Sequence, residues 1–371
     1  MKPLVVMIKP ASGQCNMKCD YCFYGDEMEH RNQASFGFMT EETLKAVIRK
    51  TMLRAEGSIY YVFQGGEPTL RGLPFFQKVM ELQKQYNKKG VMVYNSIQTN
   101  GYLLNDAWCR FFADNHFLVG ISLDGTEKTH NACRHGRDGG ETFDKILEVT
   151  RLLDRYGAEY NILTVVTKQV AENIGEIYAF YKKRGFRFQQ YIACMDPITG
   201  KKNDYSLTPA MYGKFLIRLF GLWADDFLRR EHPFIRQFEN DLQKVLGFIP
   251  EACEHNGKCS EQYAVEADGS VYPCDFYMLD EYRLGNFNRD NLTVMQEKRK
   301  ELCFIEESEQ ICEDCRSCSY YFLCRNGCRR NRTDDRNRFC ESYYSYYDAC
   351  LPQMRRIAEQ IKQQSAQGKR K

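Results

Sequence analysis

Two things are scarce in this chain: net charge of either sign and long hydrophobic runs. Across 371 residues, 52 Lys and Arg face 49 Asp and Glu, leaving +3. So small a charge gives no reason to expect nucleic acid or a membrane surface as the main partner. No apolar run approaches the length of a bilayer span, and Met1 to Pro10 lacks the profile of a signal peptide. A cytoplasmic protein with no membrane partner is therefore expected. At 43% hydrophobic and 27% charged the composition is ordinarily globular, and the length suits two domains better than one oversized core.

Cysteine, by contrast, is abundant, with 17 residues. In a large cytosolic chain with clustered short spacings, thiolate–metal bonding explains them better than disulfides, and zinc and iron–sulfur are the two candidates. The densest stretch is Cys15-Asn16-Met17-Lys18-Cys19-Asp20-Tyr21-Cys22-Phe23. The spacing would also line one face of a helix. However, Pro10 and Gly13 interrupt the chain just before it, and Leu4-Val5-Val6-Met7-Ile8 reads as a buried strand. The three thiols are therefore expected in a loop after that strand. Three ligands alone do not name a metal.

Strand-like and helix-like patterns then alternate. Thr40 caps a helix to about Glu56; Ile59 to Phe63 is a strand, and a helix spans about Leu73 to Lys88. A strand starting at Val91 to Tyr94, a helix from Asn105 or Asp106, and a strand over Phe117 to Ile121 follow. A helix over about Thr142 to Tyr156, a strand over Tyr160 to Val166, a helix to about Arg184 and a strand over Phe186 to Ile192 complete the series. Six strands in this alternation imply an α/β fold with a parallel sheet, either a curved partial barrel or a flat doubly wound sheet. In both, functional groups collect at the strand carboxyl ends. Those ends carry the cysteine loop, Gln64-Gly65-Gly66-Glu67-Pro68, Gln98 to Gly101, and Ser122 to Gly125. A Gly-Gly pair before Pro is alone an ordinary turn, but it also lets backbone approach a ligand closely.

C-x-x-x-C-x-x-C after a first strand, with Gly-Gly-Glu-Pro after the second, resembles the radical S-adenosylmethionine (SAM) enzymes. The resemblance implies a partial (β/α)6 TIM-type barrel and a [4Fe–4S] cluster on Cys15, Cys19 and Cys22. Three thiolates leave one iron free for the amino and carboxylate groups of SAM, whose cleavage the cofactors supply. A structural zinc site would want a fourth nearby Cys or His, and none lies close in sequence.

From about Leu207 to Leu246 the chain reads as a helical connector, with Phe215, Leu216, Leu219, Phe220, Leu222 and Trp223 on an apolar face that suits packing between domains. The core is expected over residues 1–235 and a cysteine-rich module over 236–371, ending in a polar tail after about Ile361. Cys253, Cys259, Gly269 and Cys274 precede Cys315, Cys318, Cys324, Cys328 and Cys340. Zinc ribbons also pair C-x-x-C units. The full order is similar to the SPASM extension of radical SAM enzymes, which carries two auxiliary [4Fe–4S] clusters and would bring the total to three. By position, Cys253, Cys259, Cys274 and Cys328 would hold one, and Cys315, Cys318, Cys324 and Cys340 the other. Cys312 offers an alternative frame for the C-x-x-C pair. It joins Cys109, Cys133, Cys194, Cys303 and Cys350 as unassigned, with burial expected for most, and His255 reads as a surface loop residue.

Ile8 to Ser12, Cys22-Phe23-Tyr24, Phe63 to Leu70, Ser96 to Gly101 and Gly269 to Tyr277 together look like the anaerobic sulfatase-maturating enzymes. That resemblance implies oxidation of a Cys or Ser side chain in an unfolded or nascent sulfatase to Cα-formylglycine. It implies hydrogen abstraction from the target's β-carbon by a 5′-deoxyadenosyl radical, deprotonation by a base at Asp275, and an electron leaving through an auxiliary cluster. An electron donor such as flavodoxin or ferredoxin is implied as well. Asp275, without the family match, would read as an exposed turn residue after Pro273. By the same matching Tyr21, Gly66, Ser122, Arg134 and Met195 would contact SAM, with Arg134 suited to its carboxylate. The alternative is another SPASM peptide-modifying enzyme that forms thioether or carbon–carbon crosslinks. Preference for Cys or Ser rests on pocket geometry, which sequence does not show.

Overall fold

The alternating pattern folds into six parallel strands paired in chain order: β1 (Leu4–Ile8), β2 (Ser58–Phe63), β3 (Met92–Thr99), β4 (Leu118–Ser122), β5 (Tyr160–Val166) and β6 (Phe188–Ala193). The computed structural model describes residues 3–368. Within β2 the pleat sends Ile59, Tyr61 and Phe63 into the core and leaves Tyr60 exposed. Helix Glu41–Arg54 starts at Thr40, whose hydroxyl accepts the Thr43 N–H at 3.1 Å. It buries Leu44, Val47, Ile48 and Met52. Helices Leu73–Tyr86, Asp106–Asp114 and Phe143–Tyr156 provide the next crossovers.

The structure departs from the pattern in three places. β3 runs on to Thr99, carrying the loop Asn100-Gly101 to its carboxyl end. The region after β5 forms two helices, Lys168–Glu172 and Ile174–Arg184, separated at Asn173. The connector is also two helices, Pro209–Arg229 and Arg236–Val245, because Arg230 turns left-handed and Pro233 cannot donate a helical hydrogen bond. Between them Phe234–Ile235 adds a parallel strand beside β6.

At the opposite edge the second half of the chain returns to the sheet. Tyr263–Val265 pairs in parallel with β1, and Ser270–Tyr272 and Gly285–Asn286 continue antiparallel, so that this sheet has ten strands among the described residues. The last helix, Cys340–Gly368, packs on Pro209–Arg229, where Tyr212 meets Phe339 and Phe220 meets Tyr346. The polar tail continues this helix to Gly368; Met1, Lys2 and 369–371 lie outside the described residues. Among the described residues no helix is long and apolar enough to cross a membrane.

Candidate active site at the strand carboxyl ends

The cysteine stretch follows β1 as expected, but it is not plain loop. Met17–Cys19 is a short strand antiparallel to Arg134–Gly136, with Cys19 opposite Arg134. A buried loop must pair its backbone groups, and a strand more than a hundred residues away supplies the partners. Cys15 Sγ accepts the Met17 N–H and Cys22 Sγ the Gly25 N–H, both at 3.4 Å, while Arg134 donates to Cys19 Sγ at 3.7 Å. Burial pushes the Cys15 thiol up to about 11 and the Cys19 thiol up to about 12. Binding of a metal here would therefore release protons as the thiolates form.

All 17 cysteines are free thiols. Among the described residues no three His, Cys, Asp or Glu side chains converge closely enough to hold a single metal ion. An iron–sulfur cluster does not need that convergence, since each thiolate binds a different iron. Three unpaired thiols on one loop, beside an arginine, fit such a group.

The loop after β2 closes over this stretch. A Cβ on Gly66, at φ +53, would stand 2.2 Å from the Gln14 carbonyl oxygen. A Cβ on Gly65, at φ +89, would stand 2.6 Å from the Lys9 stem. Both positions thus require glycine twice over, by backbone conformation and by space. Glu67, almost fully buried, accepts from Thr69 and Thr99 and from the Asn100 N–H at 2.8 Å, and its own N–H donates to Gln14 at 2.7 Å. Through its carboxyl group and its backbone N–H together, Glu67 ties the loops after β1, β2 and β3.

The residues matched to SAM divide into a tight group and scattered members. Tyr21 and Arg134 converge on Asp124, Tyr21 through its hydroxyl and Arg134 through Nε at 2.9 Å. Asp124 Oδ1 also accepts the Val165 N–H at 2.8 Å. Asp124 carried no sequence signal beyond its place in the Ser122 to Gly125 stretch that follows β4. Ser122 is buried and accepts from Gln98 at 3.0 Å. Met195 is half-buried after β6; its neighbour Cys194 packs with Tyr21 and Cys133.

Asp275 is not an exposed turn residue. It opens a 3-10 turn, Asp275–Tyr277, and is only 6% exposed. Lys9, fully buried, pairs with its Oδ1, and Gln64 donates to its Oδ2. The register explains the meeting, for Lys9 and Gln64 each follow the paired residues Ile8 and Phe63. Lys9 Nζ also lies 4.0 Å from the centroid of the Tyr24 ring, whose hydroxyl bonds Glu266, itself paired with Arg31 at 2.9 Å. Glu27, on helix Phe23–Glu29, is 1% exposed, and among the described residues neither of its oxygens has a hydrogen-bond partner. Burial and then the charge of Asp275 raise its carboxyl to about 8. Lys9 lay in the Ile8 to Ser12 stretch with no role attached to it, and Glu27 carried no sequence signal.

The C-terminal cysteines fall into two neighbourhoods. Burial raises the Cys274 thiol, and the nearby charges of Cys328 and Cys253 add to it; Cys253 and Cys259 likewise act on Cys328. Cys315 feels Cys324 and Cys340, and Cys324 feels Cys340 and Cys318. Of the unassigned cysteines, Cys109, Cys133, Cys194 and Cys350 are buried, Cys303 is exposed, and Cys312 is half-buried. His255 is no surface residue: it lies 3.0 Å from Lys244 Nζ and 3.5 Å from the buried Asp241, which draws it inward.

Comparison with known proteins accounts for this arrangement. The Radical SAM superfamily matches residues 10–181, and the SPASM iron–sulfur cluster-binding domain matches residues 253–319. A cysteine-type anaerobic sulfatase-maturating enzyme from Clostridium perfringens is 42% identical over 370 residues, covering 98% of this chain and 100% of its own. The chain belongs to the anaerobic sulfatase-maturating enzymes. A serine-type member from Bacteroides thetaiotaomicron is 31% identical, with 98% of this chain and 94% of its own covered. The solved structure of native anSMEcpe with bound AdoMet and Cp18Cys peptide superposes with a TM-score of 0.92 at 41% identity, covering 97% of this chain and 100% of that one. As a radical SAM enzyme with a SPASM domain, this sulfatase-maturating family member takes SAM and [4Fe–4S] clusters.

Proposed function

We propose that the chain oxidises a cysteine or serine side chain of a sulfatase polypeptide to Cα-formylglycine, with cysteine the preferred target. The observation that carries the reading is the buried Lys9–Asp275–Gln64 group, placed where the first cysteine loop meets the C-terminal module. The cysteine preference is supported by 42% identity to the cysteine-type relative against 31% to the serine-type one.

In this reading Cys15, Cys19 and Cys22 hold the first cluster, and Tyr21, Gly66, Ser122, Arg134 and Met195 line the SAM site. Cys253, Cys259, Cys274 and Cys328 hold one auxiliary cluster, and Cys315, Cys318, Cys324 and Cys340 the other. When bound, SAM and the clusters supply hydrogen-atom abstraction at the target's β-carbon and a path for the electron that must leave. Asp275 takes the thiol or hydroxyl proton, which makes the heteroatom electron-rich as the carbon is oxidised. Lys9 supplies the counter-charge for a buried carboxylate, and Gln64 fixes its second oxygen, so that Asp275 is aimed by two partners. Asp124 holds Arg134 and Tyr21 as one rigid unit beside Cys19. We place the boundary between core and cluster module near residue 235, the site of action in the cytoplasm, and the electron source in a flavodoxin- or ferredoxin-type donor.

The test is anaerobic incubation with SAM, reductant, and Cys and Ser versions of a sulfatase-motif peptide. Aldehyde product is expected from both, faster from Cys; SAM cleavage without aldehyde defeats the substrate reading. Asp275→Asn is expected to keep its iron and lose about a hundredfold or more in product formation. Unchanged turnover removes Asp275 as the base.

A further inference from the structure

Cys312 stands three residues before Cys315 just as Cys315 stands three before Cys318, and the structure turns this repeated spacing into repeated geometry. The Cys315 N–H donates to the Cys312 carbonyl at 3.1 Å, the Cys318 N–H to the Cys315 carbonyl at 3.4 Å, and the Tyr321 N–H to the Cys318 carbonyl at 3.1 Å. Three successive tight turns therefore present thiols at equal steps. Cys312 Sγ lies 3.6 Å from Cys315 Sγ.

That distance is informative. Two thiolates bound to one tetrahedral metal at about 2.3 Å stand about 3.8 Å apart. Ligands on different irons of a cluster need no such contact, because each iron carries its own thiolate. Cys312 and Cys315 are thus spaced to reach the same iron. Cys312 is half-buried, whereas Cys315 is buried, so the first is nearer solvent. Arg336 donates to Asp314 at 3.1 Å and has the Cys340 thiol as a second side-chain partner.

We propose that Cys312 is a reserve ligand of the C-terminal auxiliary cluster, taking over the iron of Cys315 when that bond opens. The proposal rests on assigning Cys315, Cys318, Cys324 and Cys340 to one cluster. The exchange balances without any change of oxidation state. One iron–sulfur bond forms as one breaks, the incoming Cys312 thiol gives up its proton, and the released Cys315 thiolate takes one. The device matters because ligand loss at this site would otherwise release the iron. With a second thiol in contact, the vacancy closes within the same turn of chain.

Iron and sulfide per chain, with the EPR spectrum of the reduced protein, test this on anaerobically prepared full-length variants. Cys315→Ala is expected to keep the wild-type content with an altered spectrum, and Cys312→Ala/Cys315→Ala to lose about four irons and four sulfides. A Cys315→Ala variant that already loses about four irons overturns the proposal. Cys324→Ala, which has no such neighbour, is expected to lose them outright; retention there overturns the cluster assignment rather than the reserve role alone. Should Cys315→Ala not fold, Cys312→Ala decides the matter with the native ligand in place. It is expected to release iron to a chelator severalfold faster than wild type, and equal rates overturn the proposal.

Discussion

The two cysteine regions place their thiols by opposite means. Cys15, Cys19 and Cys22 hang from the carboxyl end of β1, and the surrounding loops are pinned by Glu67, by the Gly65-Gly66 approach and by the strand pair Cys19–Arg134. Behind them lies a continuous apolar core that includes Val6, Ile8, Phe63 and Ile97. Several of the C-terminal thiols sit instead on or beside helices of four or five residues, such as Cys253–Asn256, Glu313–Ser317 and Tyr321–Cys324. The backbone there turns left-handed at Cys303, Arg325, Asn326, Asp334 and Asp335, conformations that cost about 1–3 kcal/mol each where the side chain is bulky. Much of the cohesion is polar. Arg332 alone donates to the carbonyls of Ser308, Gln310, Gly257 and Gly327. The lesson is that sheet and loop packing prepares the first site before any metal arrives, whereas the second, although Leu323 and Phe339 reach the same core, leaves more of its cohesion to polar contacts and to metal bonding.

The contrast can be broken in order of expected effect. Replacing Cys15, Cys19 and Cys22 together by Ala should abolish 5′-deoxyadenosine formation, a loss of about a millionfold or more. Far-ultraviolet circular dichroism should stay close to wild type. Loss of the fold along with the activity would show that the first site is no more prepared than the second. Next, chelating the iron anaerobically should speed amide hydrogen exchange in the segment 303–340 by roughly a hundredfold. The amides of β2 to β5 should change little, and an equal change in both would erase the difference.

The junction of the two regions is sensitive for another reason. Lys9→Met leaves Asp275 buried without its cation, at a cost of about 3–5 kcal/mol in stability. Adding Asp275→Asn should recover much of that, as read by denaturation midpoints. A double variant as unstable as Lys9→Met would mean that lost packing, not lost charge, is responsible.

The smallest effect concerns Glu27, whose carboxyl rises from 4.5 to about 8, with burial as the largest cause and Asp275 next. Between those values the folded state holds a proton that the unfolded state has released, so stability is highest at the acid end and falls as pH rises toward 8. From about pH 6 to pH 8 this amounts to about 2 kcal/mol, and Glu27→Gln should remove that slope in chemical denaturation. A slope unchanged in the variant would place the titrating group elsewhere.

Much of this was legible because the signals were local. A two-residue period, a C-x-x-x-C-x-x-C spacing and a Gly-Gly pair are properties of short stretches, and each reports directly on backbone shape or ligand type. The strands lay close to where their patterns placed them. Asp275 and His255 show the limit. Each sits in a polar, turn-like stretch that reads as surface; Asp275 is buried against the distant Lys9, and His255 is half-buried against Asp241.

Sequence alone therefore determined the parallel α/β order, the thiol-rich chemistry and the family to which the motifs point. Tertiary structure alone decided which charges meet: Lys9 with Asp275, Arg134 with Asp124 and Cys19, Glu27 with no hydrogen-bond partner among the described residues, and Cys312 against Cys315. The physical reason is that periodicity fixes which face of an element is buried. What stands across from that face is set by sheet register and chain return, here over separations as long as 266 residues between Lys9 and Asp275.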